Sequence, residues 1–435
     1  MANAKTLIKN IASLGVVQMV NFIFPLITVP YVSRIIGPEG YGIINYATAF
    51  IVYFTLLIAY GFDLTATRRI SKNPEINNIS MIASEVLLAR FGLFIVSSLF
   101  FILSYLYIEP LSRTGIVSII LFIGTISTVI SPQFIFQGFQ DLGIFAKVNF
   151  IRGILNTILV FILIKKSSDY LWLPILTASF SIIINIFLFF YSQNKFNIRY
   201  KIVDFNRIMK LILDEKMIFF STVVISLYTS TNTVILGFFA DNNEVGYYTT
   251  SQNFLNIVNS VLSIPLATAL YPYIGKAFGN SKEEGLEKIR IVTPIIFYLT
   301  FFASLIVLIF APITIKIFYG HKFDLAIPAL RIISFLPFII SMSNVFGIQV
   351  MLNLNLDKLF FKTTLIASIL GVFLNVFMSK YLGYIGTAWN CLIIETIVTL
   401  LMFITLRNNN IHILKMSYFH PWNIYRTIQT IIKRP

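Results

Sequence analysis

Apolar stretches, each long enough to cross a bilayer, follow one another along this chain with short polar turns between them. A helical span needs roughly 20 mostly apolar residues. Stretches of that kind lie near 11–33, 42–62, 82–108, 115–136, 145–164, 171–191, 217–239, 246–272, 291–313, 327–353, 361–379 and 384–406. Open strand edges do not survive in lipid, so each stretch predicts a helix that satisfies its own backbone. The pattern predicts an all-α polytopic membrane protein with about twelve transmembrane helices. Too little sequence is left over for a soluble domain.

Polar residues inside these stretches are patterned. Gln18, Asn21, Pro25 and Thr28 share one face of the first helix, and Asn45, Thr48 and Thr55 one face of the second. Tyr228, Thr229, Ser230, Thr231 and Asn232 sit near the middle of the seventh. In the eighth, Gln252 or Asn253, Asn256, Asn259 or Ser260, and Ser263 form a stripe. Polar faces are costly against lipid, so they predict helix–helix hydrogen bonding or the lining of a hydrated cavity. The stripes recur in spans one, two, seven and eight, which favours a cavity. Its candidate lining is Gln18, Asn21, Thr28, Asn45, Tyr228, Asn232, Asn253, Asn256 and Asn259.

Composition agrees: the chain has 435 residues, 57% hydrophobic and 12% charged. The net charge of +15 resembles a nucleic-acid signal, but most Lys and Arg residues fall on the side of the termini. By the positive-inside rule both termini are cytoplasmic, and the basic clusters serve topology and contact with anionic lipid. The first apolar stretch exceeds a signal-peptide core and reads as a permanent span. From about 411 the tail mixes Ile, Trp422 and Tyr425 with Lys and Arg, which predicts a surface-lying helix or a disordered tail. The one cysteine, Cys391, excludes an internal disulfide, and no metal-ligand, phosphate-loop or nucleophile motif appears. Neither a metal nor a cofactor is expected.

Charges within or beside spans are few, and each costs free energy there. Arg34, Arg90 and Arg331 are candidate partners for an anionic headgroup, because a guanidinium fork matches phosphate oxygens. Asp63 and Glu395 are candidates for ion coupling. Glu85 lies in the same inner part of span three as Arg90.

The basic connection at 196–216 divides the spans six and six. The expected organisation is an N-terminal six-helix bundle (1–195), a C-terminal six-helix bundle (217–407) and a basic tail (408–435). Six is even, so both halves enter from the same side as parallel repeats. At an offset of 204 residues, Gly42 aligns with Gly246, Phe50 with Phe254 and Lys72 with Lys276. A polar outer turn precedes each of those glycines.

Several segments resemble one family. They are Pro25, Pro30, Arg34, Gly37 and Tyr41-Gly42; Tyr60 through Thr67; Phe136-Gln137-Gly138; Tyr271-Pro272; and Ser343 through Gln349. Their order over nearly the whole chain is similar to that of the Wzx-type O-antigen and polysaccharide repeat-unit flippases. These belong to the multidrug/oligosaccharidyl-lipid/polysaccharide exporter superfamily. The resemblance implies two six-helix bundles in a V around a central cavity, opening to alternate sides. It implies an undecaprenyl-pyrophosphate-linked oligosaccharide as substrate, moved between leaflets of the bacterial cytoplasmic membrane. Membrane lipids, a polysaccharide polymerase and a chain-length regulator are the implied partners, and nucleic acid is not one. Related lipid flippases hold the pyrophosphate with cavity arginines, whereas the first span here has Arg34 only at its end. Two other readings compete. An O-antigen polymerase, a membrane glycosyltransferase, is expected to carry a large outer loop that this chain lacks. A cation-coupled multidrug exporter of the same fold is expected to hold a deep carboxylate in its first-half cavity.

Overall fold

The computed structural model describes residues 4–72 and 75–420, with side chains omitted at 4–23, 221, 225, 227–229, 263–269 and 271–273. Every regular element among the described residues is helical. Among the described residues, eight helical segments are long and apolar enough to cross a membrane. The apolar sequence forms helices because only a helix satisfies every backbone group within the segment. Contacts divide the chain into two compact units.

The first unit runs to Gly246 and includes Phe318–Lys322. Its helices are α1 (Ala4–Ala59), α2 (Phe62–Lys72), α3 (Ile76–Tyr107), α4 (Glu109–Ser112), α5 (Ile116–Gly124), α6 (Ile126–Val129), α7 (Gln133–Gly138), α8 (Gly143–Leu163), α9 (Trp172–Phe196), α10 (Phe205–Thr229) and α11 (Thr231–Phe239). The second part of the connection at 196–216 is thus the start of α10. Helix α1, at 56 residues, would measure about 80 Å if straight, far beyond a bilayer core of about 30 Å. It turns at Gly37, whose φ of 73° and ψ of −179° belong to a region open essentially to glycine alone. Pro38 then opens the second arm with a fixed φ.

Helix α3 shows how the faces are used. Phe91, Ile95, Leu99, Ile102 and Leu106 are exposed, while Ile79, Ile82, Val86 and Ala89 are buried. Bare Phe, Ile and Leu on the outside suit hydrocarbon as solvent. The buried face joins Phe62, Ala66, Ile70, Phe134 and Leu211 in one core.

The second unit contains α12 (Asn242–Asn280) beyond its first turns, α13 (Lys282–Phe318) up to Ile317, α14 (Ala326–Ile333), α15 (Leu336–Asn344) and α16 (Asp357–Asn408). Helix α16 turns at Gly383 (φ 55°, ψ −139°), as α1 does at Gly37. Between α15 and α16 the chain winds as a π-helix over Val345–Leu352. The family-like stretch from Ser343 to Gln349 runs into this wider helix, a feature that tends to occur at functional sites.

Over residues 411–420 the start of the tail, expected as a surface helix or a disordered segment, takes another form. Asn410 adopts a left-handed φ of 57° and reverses the chain. Ile411 and Ile413 are then buried in the core of the unit, with exposed residues alternating between them. A period of two is that of an extended strap, which explains the non-helical backbone at 411–415, before a 3-10 turn at Met416–Phe419. Arg290 Nε and Nη2 donate to the carbonyl of His412 at 2.9 and 2.7 Å, and Tyr298 donates to that of Phe419 at 3.1 Å. Trp422 and Tyr425 lie outside the described residues.

Candidate functional site

Two polar pockets open inside the first unit and share Thr177 of α9. The first, of 230 Å³, lies among α1, α8 and α9, with Pro25, Thr28, Arg152, Asn156 and Thr177 on its wall. Phe24 also lines it: a Cβ on Gly153 would fall 2.3 Å from that ring, so the Phe24 side chain of α1 packs directly on α8 where Gly153 has none. The second pocket, of 200 Å³, mixes the hydroxyl residues Thr48, Thr55, Thr125, Thr128, Thr177 and Ser181 with apolar ones such as Ile51, Val52 and Leu121. Hydroxyls that bond to their own helix, as Thr48 does to Ile44 O at 2.7 Å and Thr177 to Leu173 O at 2.8 Å, keep lone pairs for another donor.

Arg152 lies near the middle of the 21-residue helix α8. On insertion scales an Arg at a helix centre costs about 2.5–3.5 kcal/mol. It makes no ion pair or hydrogen bond with any described residue. Sequence reasoning named other arginines and passed over this one. The available signal was a charge inside an apolar stretch with Asn149 and Asn156 within a turn of it.

The predicted site residues are dispersed. The side chains of Gln18, Asn21 and Tyr228 lie outside those described. Thr28 is buried in the first pocket and donates to Phe24 O at 3.0 Å. Asn45 donates to Tyr41 O at 2.7 Å, and Asn232 is buried. In the second unit Asn253 and Asn259 are half-buried and Asn256 is exposed, accepting from Gln252 at 3.5 Å. Glu395 is half-buried on α16, its carbonyl accepting from Thr399 at 2.8 Å. Arg34 and Arg331 are exposed.

Arg90 and Asp63 are brought together. Arg90 Nη2 stands 2.8 Å from Asp63 Oδ1, with the Arg side chain 1% exposed and the Asp 35%. The contact is an ion pair by distance without the angle of a directed hydrogen bond. Arg90 Nη1 donates to Ser131 O at 2.9 Å, its guanidinium lies 5.6 Å from the Phe134 ring centre, and Nε has no hydrogen-bond partner. In the same core Arg69 pairs with Glu85 at 2.7 Å, and Thr65 donates to Glu215 of α10. Glu215 lies just outside the seventh apolar stretch. Burial raises its carboxyl above the ordinary 4.5, Thr65 and Arg69 oppose this, and Asp214 and Glu85 add to it.

The second unit holds a larger and more apolar cavity of 540 Å³ between α13, α15 and α16, walled by Phe297, Phe338, Met342 and Phe346 and closed by Phe419 of the strap. No metal-binding group of His, Cys, Asp or Glu occurs among the described residues.

Helices with exposed apolar sides, and pockets among them that carry threonine, serine and asparagine side chains, define a polytopic membrane protein. The chain belongs to the polysaccharide biosynthesis protein family, whose sequence pattern matches residues 7–278. It is 29% identical over 410 residues to a protein of Escherichia coli (strain K12) named "Putative O-antigen transporter", covering 94% of this chain and 99% of that one. A protein of the same name from Shigella dysenteriae is 25% identical, over 91% and 98% of the two chains. Among solved structures, an inward-facing multidrug resistance MATE family transporter of the MOP superfamily superposes with a TM-score of 0.72 at 16% identity, over 97% of this chain and 99% of that one. The lipid II flippase MurJ in an inward closed conformation gives 0.67 at 16% identity, over 99% and 92%. At that identity the likeness is one of fold. These relatives and structural neighbours are transporters, in agreement with the expectation of a transporter and not an enzyme.

Proposed function

We propose that the chain is a flippase for lipid-linked O-antigen or related polysaccharide repeat units, moving them from the cytoplasmic to the periplasmic leaflet of a bacterial cytoplasmic membrane by alternating access. The observation that carries this reading is the pair of pockets, sharing Thr177, that carry hydroxyl and amide groups within apolar helices. A sugar entering hydrocarbon loses its water hydrogen bonds, at several kcal/mol per unpaired group on transfer scales. Ser, Thr and Asn replace those bonds as both donors and acceptors, without demanding one ring configuration. The full-length likeness to proteins named as O-antigen transporters supports the choice of cargo.

The reading includes twelve spans in two six-helix bundles related as parallel repeats, with both termini cytoplasmic. The glycine turns that fold α1 and α16 into two arms each support that count. The alignment of Gly42 with Gly246 supports the repeat. Asp63 and Glu395 remain the proposed ion-coupling groups, and Arg34, Arg90 and Arg331 the sequence-derived phosphate partners. The proposed partner proteins are a polymerase and a chain-length regulator.

The test is deletion of the gene in its host, with surface polysaccharide and lipid-linked intermediates analysed together. Loss of surface polymer with single lipid-linked units held on the cytoplasmic leaflet is expected. Unpolymerised single units reaching the surface would point to a polymerase instead. Unchanged polysaccharide in a strain without a second flippase would overturn the reading.

A further inference from the structure

We propose that Arg152 is an oxyanion-binding residue that takes a phosphate-class anion into the pocket it shares with Thr28, Asn156 and Thr177. The argument starts from charge balance. A cation inside the span region is retained where an anion or a polar cavity compensates it. The three helices around this pocket hold one carboxylate between them, Glu39, which is exposed beyond the turn at Gly37. Arg152 itself pairs with nothing among the described residues, in contrast to Arg90, which has Asp63 and Ser131. With no carboxylate on these three helices beside it, the guanidinium is open to an anion that enters the pocket.

The surroundings suit an oxyanion. Asn156 stands one turn along α8 from Arg152, and it too makes no hydrogen bond with a described residue. Thr28 and Thr177 bring hydroxyls from the two neighbouring helices. A guanidinium offers two parallel N–H donors to phosphate oxygens, and an amide and hydroxyls can complete the shell. Phe24, seated on Gly153, adds an apolar ring to the same wall. Thr177 also lines the second pocket, so an anion at Arg152 would have further threonine and serine hydroxyls close by. This deepens the flippase reading and rests on it for one of two sources of the anion: the pyrophosphate of a polyprenyl carrier, or a free inorganic anion.

The experiment uses the full chain purified into lipid nanodiscs. Binding of a polyprenyl pyrophosphate and, separately, of inorganic pyrophosphate is measured by calorimetry for wild type, Arg152→Gln, Arg152→Lys and Asn156→Leu. Arg152→Gln is expected to weaken binding by at least about tenfold, since charged hydrogen bonds are lost. Arg152→Lys should recover part of this, because it keeps the charge without the fork. Thermal stability without ligand should not fall in Arg152→Gln, since no protein partner is left behind. Loss of affinity for the polyprenyl compound alone assigns the lipid headgroup, and equal loss for both compounds assigns a general pyrophosphate site. Unchanged affinity for both in Arg152→Gln overturns the proposal, as does a stability loss that accounts for the binding loss and is shared by Arg152→Lys. The flippase reading fails separately, through the deletion phenotype, and leaves the binding result standing.

Discussion

Gly42 and Gly246 each lie where the other's helix leaves no room for a side chain. A Cβ on Gly42 would fall 1.7 Å from the carbonyl oxygen of Asn242, four residues before Gly246. A Cβ on Gly246 would fall 2.2 Å from the carbonyl oxygen of Pro38, four residues before Gly42. The contact is reciprocal, and it joins two positions that the sequence aligns at an offset of 204 residues.

Backbone cannot yield as a flexible side chain can, so Gly42→Ala and Gly246→Ala are each expected to destabilise the protein. Overpacking costs of about 1–3 kcal/mol set the scale. Gly92→Ala in α3 is the control: nothing lies within 4 Å of its Cβ position, and Ala is the better helix former by about 1 kcal/mol. Thermal unfolding in detergent should show a fall for the first two variants and no fall for the third.

Removing one member of the Arg90–Asp63 pair leaves the other uncompensated. For a buried pair the cost is about 3–5 kcal/mol. Arg90→Met strands a carboxylate that is one-third open to solvent, so the lower end applies, and Asp63→Asn, which strands the buried cation, should cost more. Surface polysaccharide at matched membrane levels should fall further in Arg90→Met than in Arg331→Met. Equal, wild-type polymer in both would remove Arg90 from the transport machinery.

Glu215 supplies a pH dependence whose sign is fixed. Its native carboxyl holds a proton to higher pH than the ordinary 4.5. The native state therefore binds more protons than the unfolded chain between those two values, and stability falls as pH rises through that window. Below 4.5 the contribution is complete. Glu215→Gln keeps an acceptor for Thr65 without the charge. A melting-temperature series from acidic to neutral pH should show a shallower decline for this variant than for wild type.

The strap beyond α16 hangs on Arg290. Arg290→Ala deletes two hydrogen bonds to His412 O at a partly exposed site, a loss of about 1 kcal/mol. Amide exchange over residues 411–420 should accelerate while the arms of α16 stay protected. Uniform exchange across both would argue that the strap is not an independent unit.

The helices were legible because membrane spans announce themselves by apolarity alone. The turn from Gly37 to Gly40 was legible too, as a polar break before Tyr41. The fate of individual charges was not. Arg90 and Arg152 look alike in sequence, each a guanidinium in an apolar stretch. Only the fold shows that Asp63 meets the first and that, among the described residues, no carboxylate pairs with the second. The strap was misread for a related reason: Ile411 and Ile413 suit an amphipathic surface segment until the core of the second unit is seen to take them. The hydroxyls of Thr125, Thr128 and Ser181 carry no pattern of their own in sequence, and they converge only when α5 and α6 pack against both α1 and α9.

The turn at Gly37 also bears on how the topology of this chain is best mapped. Gly37, Gly40 and Tyr41 are buried, and a Cβ on Gly40 would sit 3.4 Å from that of Tyr170. A turn packed this way is no free loop. Reporter fusions or epitope tags inserted there would report on a broken joint, and cysteine-labelling reagents would find only Glu39 openly presented. The exposed segment between Lys165 and Ser168 is the better place to ask which side of the membrane this end of the protein faces.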